Sequence, residues 1–199
     1  MCEWVSIANN KFAQRNYSTY GEYLEHQRSK TIGMKEKTPN MDSSLVADMV
    51  NRHPFIKKPS SVVCLGARLG GEVQGFIKAG HFAVGIDLYP GPDNPWVLVG
   101  DFHKTVFADS SVDIVHTNSL DHINNPDIFL REIYRILKPA GFAMIELIMN
   151  ADRRGPFESF WWDSTDSVDD LFCNAGFEFF CIGQGTNLIG HMMVFKAIK

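Results

Sequence analysis

From about residue 60 onward the chain alternates short, β-forming apolar runs with longer amphipathic ones, and this rhythm constrains the fold more than any other feature. SVVCLG, HFAVGID, WVLVGD, VDIVHT and GFAMIELIM are apolar with little polar alternation. Such runs suit parallel strands buried on both faces, because a sheet with one wet face would alternate. Between them, GEVQGFIKAG predicts a short helix ended by glycine. NNPDIFLREIYRILKPAG predicts a stronger one, with Asn125 as cap, Pro126 at the first helical position where no N–H is needed, and Lys138-Pro139 with Gly141 at the exit. Ile133, Ile136 and Leu137, with Phe129 or Leu130, form its sheet-facing stripe. SVDDLFCNAG predicts a further helix, and FEFFCIG and HMMVFKAIK are close enough through GQGTNLIG to pair antiparallel. The expected architecture is α/β: a doubly wound sheet, mostly parallel, with helices on both faces and an antiparallel C-terminal hairpin.

The first 55 residues have a different character. YSTYGEYLEHQRSKTIG and MDSSLVADMVNRH predict two helices joined by a polar, Pro-containing loop, too short to fold alone. With 45% hydrophobic residues in 199, one core is affordable. Residues 1–199 are therefore expected to form a single domain, 1–55 a helical lid over the carboxyl edge of the sheet and 60–199 the core. The formal net charge of −4 and the lack of a basic run exclude a protein that lives on nucleic-acid phosphates. No basic amphipathic helix and no apolar stretch of ~18 residues argue for a membrane, and MCEWVSIANNKF lacks the pattern of a secretory leader; cytoplasmic residence is expected. The four cysteines show no CxxC pairing and no metal-like spacing with the seven histidines, which predicts free, buried thiols and no metal site.

In such a sheet, ligands bind beyond the carboxyl ends of the strands. VVCLGARLGGE turns the first strand of the core into a glycine loop and a helix start, which admits close approach of a ligand and offers free N–H groups to it. About twenty positions on, Asp87 ends the second strand in VGIDLYP, where a carboxylate can accept both hydroxyls of a ribose. Gly100-Asp101-Phe102 ends the third, with a carboxylate for an adenine amino group and an apolar face for its ring. Each feature has a plainer reading: a tight turn, a turn cap, a core phenylalanine.

Together with SVDIVHTNSLDHINN and LREIYRILKPAG, these signals resemble the class I S-adenosylmethionine-dependent methyltransferases over residues 61 to 148. The resemblance implies a Rossmann-like, seven-stranded sheet with a terminal hairpin and S-adenosyl-L-methionine as cofactor. It implies that Gly66, Ala67 and Gly70 line the methionine part of the cofactor, that Asp87 with Leu88 holds the ribose, that Asp101 and Phe102 frame adenine, and that Asn118 lies near the sulfonium. Two positions depart from the family pattern. Cys64 stands where an acidic residue is usual, and Arg68 where the middle glycine is usual. Arg68 either pairs with the cofactor's carboxylate, with Glu72 supplying negative charge near its ammonium, or turns outward to Glu72 or solvent.

Methyl transfer is an in-line displacement, so alignment and exclusion of water dominate, with a base where oxygen or nitrogen must lose a proton. His122 is the first candidate base, with Asp121 beside it and Glu146 near the end of the fifth strand expected to face the same cleft. His122 alternatively organises the loop, and His116, inside a strand, reads as a hydrogen-bonded core residue. Tyr20, Tyr23 and Gln27 share a helical face with Tyr17 nearby, and Phe157, Phe160, Trp161 and Trp162 crowd the segment after the fifth strand. These aromatics suit a sugar or planar acceptor, or else burial of the N-terminal helices. The resulting expectation is an enzyme methylating oxygen or nitrogen of a small molecule, such as a sugar or a secondary-metabolite intermediate. The alternative is a noncatalytic cofactor-binding or interaction protein with the same fold.

Overall fold

The apolar rhythm becomes a seven-stranded sheet, and the chain also forms a small three-stranded sheet that the sequence reading missed. The computed structural model describes residues 3–33, 42–148, 154–186 and 190–199. In chain order these hold β1 (Trp4–Ile7), β2 (Phe12–Arg15), α1 (Tyr20–Gly33), α2 (Ser43–Asn51), β3 (Ser61–Leu65), α3 (Gly71–Lys78), β4 (Phe82–Asp87) and β5 (Val97–Val99). There follow β6 (Val112–Thr117), a 3-10 turn over Leu120–His122, α4 (Pro126–Ile136), β7 (Leu137–Ile148), β8 (Phe160–Trp162), α5 (Thr165–Asn174), β9 (Phe177–Gln184) and β10 (Gly190–Ala197).

The large sheet runs β5-β4-β3-β6-β7-β10-β9, parallel from β5 to β7 and antiparallel where β10 meets β7 and β9. One face is covered by α2 and α3, whose Val46, Met49, Val50, Val73 and Phe76 pack on Val62, Cys64, Ile114 and Met144. The other is covered by α4 and α5, with Phe129, Leu130, Ile133, Ile136 and Phe172 on Val63, Leu65, Val115 and Ile145. Asn125 caps α4 by accepting from the Ile128 N–H at 3.0 Å, and Pro126 begins the helix, as its sequence requires. Among the described residues Cys64 is buried, Cys181 half-buried and Cys173 exposed, and all three are free, so burial holds for only part of the set; Cys2 lies outside the described residues.

Two corrections concern the N-terminal region. β1 and β2 form a hairpin whose turn places Ala8, Asn9 and Asn10 at positive φ, and β2 pairs with β8 across the chain. Four-residue strands are too short to show a period, so only the pairing with β8 reveals them. Second, α2 leaves the carboxyl edge and lies on the sheet face against α3, because Val46, Met49 and Val50 form an apolar stripe that must be buried. The close crossing depends on Gly75: a Cβ there would meet the Val46 Cβ at 2.3 Å and the Ser43 carbonyl at 2.9 Å. Gly75→Ala is therefore expected to destabilise the fold by about 2 kcal/mol despite its better helix propensity, lowering Tm by about 5 °C in a thermal melt. An unchanged Tm would mean that α2 does not pack this tightly.

Candidate active site

From β3 the chain moves outward through β4 and β5, then returns to β6 on the opposite side of β3. Loops leaving β3 and β6 part at this reversal and open a crevice at the carboxyl ends. A cavity of about 400 Å³ lies there. Its sheet side is lined by Gly66 and Arg68 after β3, Asp87, Leu88 and Tyr89 at β4, Phe102 after β5, and Asn118, Ser119, Asp121 and His122 after β6. Its outer side is lined by Tyr23, Gln27 and Lys30 of α1 and by Pro156, Phe157 and Glu158.

The glycine loop is shaped by backbone as much as by space. Gly66 sits at φ +71°, and a Cβ there would meet Ser119 Oγ at 2.4 Å, so both geometry and room demand glycine. Arg68 adopts φ +40° in the same left-handed region, where an L-residue carries a strain of roughly 1–2 kcal/mol that glycine would avoid. Its N–H donates to Asp87 Oδ2 at 2.9 Å, and the Tyr89 N–H donates to Asp87 Oδ1 at 2.8 Å. The carboxylate is thus oriented from both sides, and each oxygen keeps acceptor capacity at the cavity wall. This is a cradle suited to a vicinal diol such as a ribose, and the residues present fit such a group.

Other expected positions fall elsewhere. Ala67 is buried in the cluster under α2 and α3, and Gly70, at φ +82°, caps α3 and packs against Trp96. Asp101 lies outside the cavity lining: Oδ1 accepts from the His103 N–H at 2.8 Å and from His103 Nδ1 at 3.0 Å, and Oδ2 accepts from the Tyr20 hydroxyl. The Asn124 N–H donates to His103 Nε2 at 3.2 Å, which puts the ring proton on Nδ1. Burial alone would raise the Asp101 pKa, but these bonds outweigh it and hold it below the ordinary range. Glu146 does not share the cleft with His122. It is 3% exposed on β7 opposite Met192, and its Oε1 accepts from the Thr186 N–H and hydroxyl, both at 2.6 Å. Side chains alternate across a strand, and Glu146 follows Met144 onto the side covered by α2 and α3.

Two more buried groups sit on that side. Glu72, in the first turn of α3, is 2% exposed with Oε2 unpartnered, and desolvation, followed by the charges of Glu146 and Asp87, pushes its carboxyl up to about 7 against the pull of its own backbone N–H and Arg68. So enclosed, it is absent from the cavity wall where it was expected to meet an ammonium. His116 is a core residue as expected, but both ring nitrogens lack hydrogen bonds among the described residues. It packs edge-on against Phe76 at 5.4 Å, and burial lowers its pKa to about 4.

The outer wall is built by segment 155–159, whose successive carbonyls all accept. Arg15 donates to Gly155 at 2.7 Å and to Glu158 at 2.9 Å, His26 Nε2 to Pro156 at 2.7 Å, and Gln27 to Phe157 at 3.0 Å. The Arg15 N–H donates to the Ser159 carbonyl at 2.8 Å, which joins the wall to the small sheet. Of the aromatics expected here, Phe157 reaches the cavity, whereas Phe160 stacks on Phe12 in the core at 5.4 Å and Trp162 packs against the same cluster. On α1, Tyr23 lines the cavity and donates to the His122 carbonyl at 3.1 Å, while the Tyr17 hydroxyl bonds His26 and Ser159.

His122 Nδ1 lies 3.1 Å from the Phe157 carbonyl, and its Nε2 lies 2.6 Å from Lys30 Nζ. Asp121 Oδ1 is 3.7 Å from the same Nε2. Lys30 is the main site residue that sequence reasoning missed. It continues the face of Tyr23 and Gln27 by one further helical step, a signal that was available. No cluster of three metal-binding side chains occurs among the described residues, and none of the helices they form is long and apolar enough to cross a membrane.

Residues 63–145 match the family described as "Methyltransferase domain". The chain is 31% identical over 109 residues to a demethylmenaquinone methyltransferase from Streptomyces griseus, a match covering 50% of this chain and 46% of that protein. It thus spans about half the length of the curated relative it matches. Among solved structures it is similar to the Burkholderia thailandensis 1,6-didemethyltoxoflavin-N1-methyltransferase with bound 1,6-didemethyltoxoflavin and S-adenosylhomocysteine, with a TM-score of 0.71, 16% identity, and coverage of 99% of this chain and 100% of that one. It is also similar to the PH0226 protein from Pyrococcus horikoshii OT3, with a TM-score of 0.62, 19% identity, and coverage of 83% and 100%. At these identities the structural likeness shows the fold: the Rossmann-like, seven-stranded methyltransferase sheet.

Proposed function

We propose that this chain, whose residues 63–145 match the methyltransferase-domain family and whose sheet is Rossmann-like, is an enzyme that binds S-adenosylmethionine in the switch-point cavity and methylates oxygen or nitrogen of a small planar acceptor. The observation that carries the reading is the joint lining of one cavity by Gly66, Asp87, Phe102 and Asn118, which leave four different strands. When bound, the cofactor supplies an electrophilic methyl group. Asp87, oriented by two backbone N–H bonds, accepts the ribose hydroxyls, Phe102 offers an apolar face to the base, and Arg68 offers its charge to the carboxylate end. Tyr23, Gln27 and Phe157 close the outer side and exclude water, so that the acceptor is held in line rather than hydrolysis favoured.

A planar acceptor is supported by the aromatic outer wall, and by the ring compounds named for the Streptomyces and Burkholderia relatives. The test is a calorimetric titration with S-adenosylhomocysteine followed by methyl transfer from labelled cofactor to a panel of hydroxylated quinones, phenols, nitrogen heterocycles and sugars. At about 100 times Kd the ligand is expected to stabilise the protein by about 2.7 kcal/mol, visible as a higher Tm. Failure to bind would remove the reading. A noncatalytic cofactor-binding protein is the second reading, favoured by Cys64, whose 1% exposure leaves the usual carboxylate without a substitute at that position. Binding without turnover against any class in the panel would select it.

A further inference from the structure

The contact between Lys30 and His122 decides which side chain can act as base. A carbonyl oxygen only accepts, so the bond to Phe157 puts the proton of neutral His122 on Nδ1 and leaves Nε2 as the lone pair. That lone pair is taken by Lys30 Nζ at 2.6 Å. Both residues line the cavity, where Asp121 Oδ1 and Glu158 Oε2 are buried without a hydrogen-bond partner.

Resting on the methyltransferase reading above, we propose that Lys30 is the catalytic base, with His122 as its positioning partner, and that the acceptor is a weakly acidic phenol, enol or heterocyclic N–H. In its amine form Nζ donates one N–H to His122 Nε2 and presents its lone pair to the cavity. The acceptor's O–H or N–H proton passes to Nζ, the acceptor's electron pair forms the bond to the methyl carbon, and the carbon–sulfur bond breaks with its pair left on sulfur. The resulting ammonium makes a charge-assisted bond to the same Nε2. Groups facing Lys30 tune this step. Burial and the Arg68 guanidinium lower its pKa, while Asp121, Glu158 and Asp87 raise it. The Tyr23 hydroxyl donates to the His122 carbonyl instead of competing. A base lowered in this way matches acids near its own strength, which phenols and enols are and sugar hydroxyls are not.

The experiment uses protein saturated with S-adenosylhomocysteine, p-nitrophenol as the acidic probe and glucose as the alcohol. In a titration series across alkaline pH, binding of p-nitrophenolate is expected to take up a proton, read from the buffer dependence of the calorimetric heat. Lys30→Arg, which keeps the charge, should bind it without uptake, and Lys30→Met should bind it about tenfold more weakly, both with unchanged affinity for S-adenosylhomocysteine. Competitive acetylation read peptide by peptide should place the Lys30 midpoint below the ordinary lysine range, lower still in His122→Ala, with protection by p-nitrophenol and none by glucose. Lys30 titrating in the ordinary lysine range, or binding without proton uptake in the wild type, overturns the proposal. Absence of S-adenosylhomocysteine binding in the wild type would instead remove the reading beneath it.

Discussion

Asp87→Ala is expected to weaken S-adenosylhomocysteine binding by a factor on the order of a hundred or more, the largest single loss at the site. Hydrogen bonds to a charged group are worth about 1.5–3 kcal/mol each, and a ribose offers two hydroxyls to this carboxylate, so about 3 kcal/mol is at stake. The same substitution frees the Arg68 and Tyr89 N–H groups, which Asp87 holds at 2.9 and 2.8 Å, so the glycine loop loses its tether as well. Asp87→Asn separates the two effects. It keeps one carbonyl acceptor and the shape but not the charge, and should fall between wild type and alanine. Isothermal titration of the three proteins measures this directly, with circular dichroism to confirm that the sheet is intact. Equal affinities would mean that the cavity does not take a ribose at Asp87.

Glu72→Gln is expected to stabilise the protein, increasingly as pH rises. The folded-state pKa of Glu72, about 7, exceeds the ordinary glutamate value because the carboxylate is desolvated beneath α3. Below the unfolded value both states are protonated and burial of the acid costs nothing extra. Between about pH 4.5 and 7 the unfolded chain releases its proton more readily than the folded one, so wild-type stability falls as pH rises through that window. A shift of this size corresponds to an energy on the order of 3 kcal/mol above pH 7, and glutamine removes it. Thermal melts without ligand should show the two proteins nearly equal near pH 4.5 and the variant higher in Tm by several degrees at pH 8. A pH-independent gap would mean that Glu72 is not buried as a neutral acid.

Much of the sheet was legible before any coordinates. Strands at the sheet centre carry a continuous apolar signal, whereas β5, read in the same way, is an edge strand with Leu98 and Val99 exposed; the cap Asn125, the start Pro126 and a helix end just ahead of Lys138-Pro139 are local chemistry, readable from neighbours in the chain. Gly66 and Asp87 were legible for a similar reason: each answers a demand of its own turn. What escaped was pairing at a distance. The β1–β2 hairpin has strands too short to show a period, and it owes its place to β8, nearly 150 residues on. The outer wall of the cavity depends on the same junction, because Arg15 of β2 donates to three carbonyls of segment 155–159.

The candidate site divides along the same line. Residue types and spacing determined that a glycine loop, a strand-ending acid and a GD turn would meet at one edge of a doubly wound sheet, since parallel strands bring their carboxyl ends together. Only the tertiary structure decided what each side chain does there. Glu146 turned to the far side because side chains alternate along β7, and Asp101 is engaged by Tyr20 and His103. Lys30 met His122 across 92 positions of sequence. Local conformational preference is written in adjacent residues, whereas the partner of a buried polar group is set by which elements the core brings into contact.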